Sequence, residues 1–94
     1  MAVYILISRV TDEGSSTLTK NPSRIKEVNK DVESMGGKVL AQYATLGQFD
    51  FINIVEAPDN ETIAKISVHL ASRGSVRIMT LPAIDVDIFI DSLK

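Results

Sequence analysis

The chain has 94 residues, no cysteine and a formal net charge of −2, from ten basic and twelve acidic side chains. That length is one domain, residues 1–94, with a modest core, and an apolar fraction of 45% is enough to fold it. The charge balance works against nucleic acid, which needs a concentrated basic surface, and the missing thiols exclude disulfides, thiolate metal sites and cysteine nucleophiles.

Residues 3–10, VYILISRV, form a short apolar run rich in β-branched residues and read as a strand. Val3, Ile5 and Ile7 lie on one side, Tyr4 and Leu6 on the other. A strand apolar on both faces is central in its sheet or covered by another chain. The first charge, Arg9, follows this run, whereas a secretory signal puts its charges first. No stretch approaches the roughly 20 apolar residues of a membrane span, so a cytoplasmic protein is expected.

Residues 11–21, TDEGSSTLTKN, are polar and read as the longest loop. Asn21 then serves as an N-cap with Pro22 at the first helical position. Ile25, Val28, Val32 and Met35 make one helical stripe, and Gly36-Gly37 ends it. Residues 38–46 and 49–57 read as two strands joined by a tight Gly47-Gln48 hairpin. Asp59 or Asn60 caps a second helix, whose buried stripe is Ile63, Ile66, Ser67 and Leu70. Gly74 ends it. Residues 75–81 are a fourth strand, closed by Pro82. The tail alternates at Ile84, Val86, Ile88 and Ile90 but also has a stripe of Val86, Phe89, Ile90 and Leu93. Asp85 as N-cap and Lys94 at the far end favour a short helix.

The order β-α-β-β-α-β with a terminal helix is the ferredoxin-like α+β arrangement. Both helices cover one face of a four-stranded antiparallel sheet. The other face is bare, and this reading puts Tyr4, Leu6 and their neighbours on it. An apolar surface on the order of several hundred Å² is near the limit for a monomer, so a two-fold pairing of such faces is expected.

Five segments then carry a family resemblance: Thr11-Asp12-Glu13-Gly14, Asn21-Pro22-Ser23-Arg24, Gly36-Gly37-Lys38, Leu46-Gly47-Gln48-Phe49-Asp50 and Glu56-Ala57-Pro58-Asp59, with Gly74-Ser75-Val76-Arg77 and Thr80-Leu81 towards the end. In this order and spacing the chain resembles the GYD domain family, over nearly its whole length. The resemblance implies an architecture similar to dimeric α+β-barrel proteins and implies no particular reaction. The naming motif reads Gly47-Gln48-Phe49-Asp50 here, with Phe in place of Tyr, so no phenol is available at that point.

Asp50 is read either as a carboxylate held in the sheet, facing Arg77 or a ligand, or as a turn-side acceptor of backbone hydrogen bonds. Arg24, in the first turn of its helix, suits an anion or a salt bridge. Tyr4 and Tyr43 suit an apolar pocket or packing. The ligand-binding candidates are therefore Tyr4, Arg24, Tyr43, Asp50 and Arg77. Glu56 and Arg77 are read either as a pair that faces across strands or as lining a polar spot in the dimer, and the spacing favours neither. His69 falls off the apolar stripe of its helix, beside Lys65, and reads as a surface residue. One histidine and no cysteine leave no transition-metal site, and no metal or cofactor is expected. No phosphate loop, nucleophile elbow or zinc-helix motif is present. The function expected is a homo-oligomeric module binding a ligand or a protein. The alternative is a metal-free enzyme of oxygenase or isomerase type working in an apolar cavity. The partners expected are a second copy, as a homodimer or higher even oligomer through the open sheet face, and a small-molecule ligand, with neither nucleic acid nor membrane.

Overall fold

The computed structural model describes residues 1–74 and 76–94. The chain runs β1 (Ala2–Val10), α1 (Asp12–Lys20), α2 (Arg24–Ser34), β2 (Lys38–Ala44), β3 (Phe51–Ala57), α3 (Asn60–Ser72), β4 (Val76–Ala83) and α4 (Val86–Ser92). The strands lie in the order β2-β3-β1-β4, each antiparallel to its neighbour, which is the expected ferredoxin-like topology. The sheet is open, with β2 and β4 as its edges. No described helix is long and apolar enough to cross a membrane.

Several details differ from expectation. The stretch read as a loop at 11–21 is the helix α1. Its N-cap is Thr11, whose Oγ1 accepts from the Gly14 N–H at 3.1 Å, with Asp12 and Glu13 in the first turn to meet the helix dipole. Thr17 and Thr19 donate their hydroxyls to the carbonyls of Glu13 and Ser15, so the polar composition is satisfied inside the helix. Next, Asn21 does not cap α2. Its carbonyl accepts from the Arg24 N–H in a turn through Pro22 and Ser23, and Ser23 stands at the cap position. Finally, β2 and β3 are joined by residues 45–50, a wider connection than a two-residue hairpin. The Thr45 hydroxyl closes it by donating to the Phe49 carbonyl at 2.7 Å, and Gly47 takes φ +113° within it. Pro82, read as a stop, lies inside β4, which an edge strand tolerates.

The core lies between the sheet and the helices. Tyr4 and Leu6 from β1, Val55 and Ala57 from β3, Val32 from α2, and Ile63, Ile66 and Leu70 from α3 are buried. The register puts Tyr4 opposite Val55 and Leu6 opposite Asn53, so this parity of β1 and β3 faces the helices. The expectation that Tyr4 and Leu6 line the bare face is therefore corrected. The bare face belongs to Val3, Ile5, Ile7, Ile52, Ile54, Met79 and Leu81, with Tyr43 at one edge. Gly37 lets the end of α2 approach the sheet: a Cβ there would sit 2.9 Å from Val32 Cγ1 and 3.1 Å from the Glu56 carbonyl.

The terminal helix forms as expected, with the Asp85 side chain accepting from the Asp87 N–H. Its stripe does not bury. Val86, Ile88, Phe89 and Ile90 stay 45–67% exposed, and among the described residues no element packs closely on α4. The radius of gyration, 14.1 Å, exceeds the about 12 Å of a compact chain of this length, as a projecting arm requires.

Candidate functional site

The five expected site residues do not converge. Tyr4 is 1% exposed and donates its hydroxyl to Asn60 Oδ1 at 2.6 Å, tying β1 to the start of α3. Asp50 extends the ladder between β1 and β3. Its Oδ2 accepts from the Val10 N–H at 2.8 Å, and its own N–H donates to the Ser8 carbonyl at 2.9 Å. It accepts backbone hydrogen bonds, as one of its two readings had it, but the donor belongs to β1 and not to the hairpin. Arg24 lies on the helical side, with Nε 3.2 Å from Glu27 Oε2. Tyr43 and Arg77 are exposed on the bare face. Of the two readings of Glu56 and Arg77, the cross-strand pair does not occur. Glu56 lies opposite Val3 and Lys38 at one end of that face, and Arg77 lies opposite Arg9 at the other. His69 is exposed, as expected.

Two features remain once these contacts are assigned. The first is a cleft of about 90 Å³ between the sheet and the helices α1 and α2, reaching the end of α3. Leu6, Phe51, Ile25, Val28 and Ile78 wall it with hydrocarbon, while Ser8, Gln42 and Asn53 put polar groups on its sheet side. Asn53 and Gln42 are directly opposite on adjacent strands. Ser8 and Asn53 are 6% and 8% exposed, so these polar groups are largely out of water. Asn53 Oδ1 accepts no hydrogen bond from the described residues. Arg24 and Arg73 line the cleft where they remain partly exposed, and Arg73 Nη2 is held 2.6 Å from Asp31 Oδ2. The lining offers donors and acceptors that can hold a molecule. Among the described lining residues there is no carboxylate, imidazole or amine to take up a proton. Sequence reasoning did not single out Asn53 or Ser8. The signal was present: Asn53 interrupts the apolar run Phe51-Ile52-Asn53-Ile54-Val55 at a position of inward parity.

The second feature is the bare sheet face and its charge polarity. Arg9 and Arg77 sit directly opposite one another at one end, with no acid at ion-pair distance among the described residues. Like charges so placed repel. The other end carries Glu56 and Lys38 and leads through the cap Asp85 into α4, whose acids are Asp87 and Asp91. No group of three or more His, Asp or Glu placed to hold a metal occurs among the described residues. The carboxyl of Asp59, a helix cap, is held below its ordinary range. The Thr62 hydroxyl and then the Thr62 N–H, 2.8 Å from Oδ1, favour its charged form.

The model of the GYD domain matches residues 4–93. The chain belongs to the GYD domain family. A relative from Thermus thermophilus, described as a glutamine synthetase and cystathionine β-lyase binding protein, is 55% identical over 95 residues and is covered in full, as is this chain. A solved structure of a dimeric ferredoxin-like protein from an uncultured marine organism is similar at 11% identity and a TM-score of 0.42, over 92% of this chain and 95% of that one. That likeness is loose, and the ferredoxin-like assignment of this GYD domain stands on its own strand order.

Proposed function

We propose that this GYD domain is a homodimeric protein-binding module whose targets are glutamine synthetase and cystathionine β-lyase. The observation that carries the choice of targets is the 55% identity, over the full length of both chains, to the Thermus protein described by that binding. The cleft is consistent with holding rather than with turnover, because its lining lacks a proton acceptor among the described residues.

The bare face supports pairing with a second copy. Four strands about 4.8 Å apart and about 20 Å long give a flat footprint on the order of 400 Å². A standard interface takes about 800 Å² from each partner. The sheet alone falls short, and α4, with its exposed Val86, Ile88, Phe89 and Ile90, supplies the remainder. The charges favour one arrangement. A two-fold that reverses strand direction lays the acidic α4 end of one protomer over the Arg9–Arg77 end of the other, which relieves the arginine repulsion at both ends.

Two measurements test the reading. Light scattering after gel filtration gives a dimer for the native chain and a monomer for the Arg9→Glu, Arg77→Glu double variant. A monomeric native chain at micromolar concentration overturns the pairing. Purified glutamine synthetase and cystathionine β-lyase from the source organism, passed over the immobilised protein, bind saturably. Absence of binding by both overturns the assignment of targets.

A further inference from the structure

From the cleft under α1 and α2, we infer a second activity: reversible binding of a small carboxylic acid that carries a neutral hydrogen-bond donor, such as a hydroxyl. This does not rest on the dimer or on the enzyme partners, because the cleft opens on the helical side of the sheet and is walled by one protomer.

Three observations carry it. Asn53 is 8% exposed, lines the cleft, and leaves Oδ1 without a donor among the described residues. An orphaned buried acceptor is costly in a native fold and calls for a donor from outside the chain. Ser8, 6% exposed, and Gln42, opposite Asn53, extend the polar patch across three adjacent strands. Second, the cationic groups in the lining are guanidinium groups. Arg24 spends one nitrogen on Glu27 at 3.2 Å, and its remaining N–H groups suit a carboxylate. Arg73 is already committed to Asp31. Third, the lining contains no acid among the described residues, so an ammonium ion inside it is left without a counter-charge. The donor that meets Asn53 is therefore neutral, and an amino acid is the wrong ligand. A cleft of about 90 Å³ has room for several waters, hence for a solute of roughly four to eight non-hydrogen atoms. Its apolar walls take a short hydrocarbon segment.

Three probes share a three-carbon skeleton and separate these demands: L-lactate has the hydroxyl, propionate has none, and L-alanine has an ammonium in its place. Lactate and propionate are titrated as sodium salts and alanine as its zwitterion, at neutral pH and constant ionic strength, into the isotope-labelled native protein, and amide resonances are followed. Lactate shifts Ser8, Gln42 and Asn53, including the Asn53 side-chain amide, with a Kd on the order of 1 mM, reasonable for so few atoms. Propionate binds about tenfold more weakly, the weight of one buried hydrogen bond. Alanine does not saturate. Asn53→Leu removes lactate's advantage over propionate, and Arg24→Gln weakens both by about tenfold, the loss of a charge-assisted contact. Should Asn53→Leu fail to fold, the lactate-to-propionate ratio in the native protein and the Arg24→Gln loss decide the matter. Lactate without a saturable shift at these residues, alanine binding as well as lactate, or a lactate preference that survives Asn53→Leu overturns the inference.

Discussion

Asp50 offers the sharpest check on how the fold is held, because one carboxylate oxygen meets one backbone amide. Oδ2 accepts from the Val10 N–H at 2.8 Å, at the point where β1 leaves the sheet. Asp50→Asn keeps the shape and an acceptor oxygen but removes the charge. Hydrogen bonds to charged groups are worth about 1.5–3 kcal/mol and neutral ones about 0.5–1.5 kcal/mol, so the difference is about 1 kcal/mol. Asp50→Ala removes the acceptor altogether and leaves the half-buried Val10 N–H unpaired, which brings the cost to about 2 kcal/mol. In a domain of this size each kcal/mol moves Tm by about 4–8 °C. Asn therefore lowers Tm by about 4–8 °C, and Ala by about twice that. Calorimetry at one fixed protein concentration reads this, since self-association makes Tm depend on concentration. Hydrogen exchange adds a local readout: the Val10 amide loses protection in the Ala variant before the rest of β1 does. The reasoning fails if both variants melt within about 1 °C of the native protein, well under the shift of a single kcal/mol, and Val10 exchange is unchanged.

Two further perturbations follow from the same contacts. Gly37→Ala puts a methyl 2.9 Å from Val32 Cγ1 and 3.1 Å from the Glu56 carbonyl, an overpacking expected to cost about 1–3 kcal/mol by denaturant titration. A loss of less than about 0.5 kcal/mol, the scatter of ordinary surface changes, shows that the end of α2 shifts freely to make room. The Asp59 cap titrates. Its carboxyl is held below the ordinary 3.8 by the Thr62 hydroxyl and the Thr62 N–H, so the stability it adds is present above the unfolded value and lost as pH falls through the lower folded value. The gap in Tm between the native chain and Asp59→Ala is therefore constant above about pH 5 and narrows below about pH 4. A gap that widens on acidification refutes the assignment.

α3 was legible because its apolar period is unambiguous, with Ile63, Ile66 and Leu70 recurring at helical spacing and buried, and the strands were legible as short runs rich in β-branched residues. α1 was not, because Leu18 is its one large apolar residue and its helicity rests on the Thr11 cap and acids placed for the dipole. The face of β1 was misjudged because both its parities are apolar. Charges at the strand ends resolve it. Arg9 shares the parity of Val3, Ile5 and Ile7, Glu56 that of Ile52 and Ile54, and Arg77 that of Met79 and Leu81, and in all three strands that parity is the uncovered one. A charge near the rim of a sheet is cheap only where water or a partner reaches it. The expected site residues were chosen as conspicuous aromatic and charged side chains. Tyr4 and Asp50 proved to be satisfied within the fold, whereas the modest Asn53 keeps an unpartnered buried oxygen among the described residues.

The alternation of β1 and β3 thus sorts two chemistries onto opposite sides of one sheet. Ser8 and Asn53 face the helices, whereas Arg9 and Glu56 face outward. The inward polar groups are placed by the register that buries Tyr4 and Leu6 beside them. The outward charges have no such support. Their order along the face matters only when a second surface meets it. The two are therefore separable by charge. Reversing Arg9 and Arg77 acts on the outer face and leaves the register of Ser8 and Asn53 untouched, whereas altering Asn53 acts within a cleft that the bare face does not touch. A protein built this way can carry a small ligand on one side of its sheet while the other side is occupied by a copy of itself, without either event needing the strands to move.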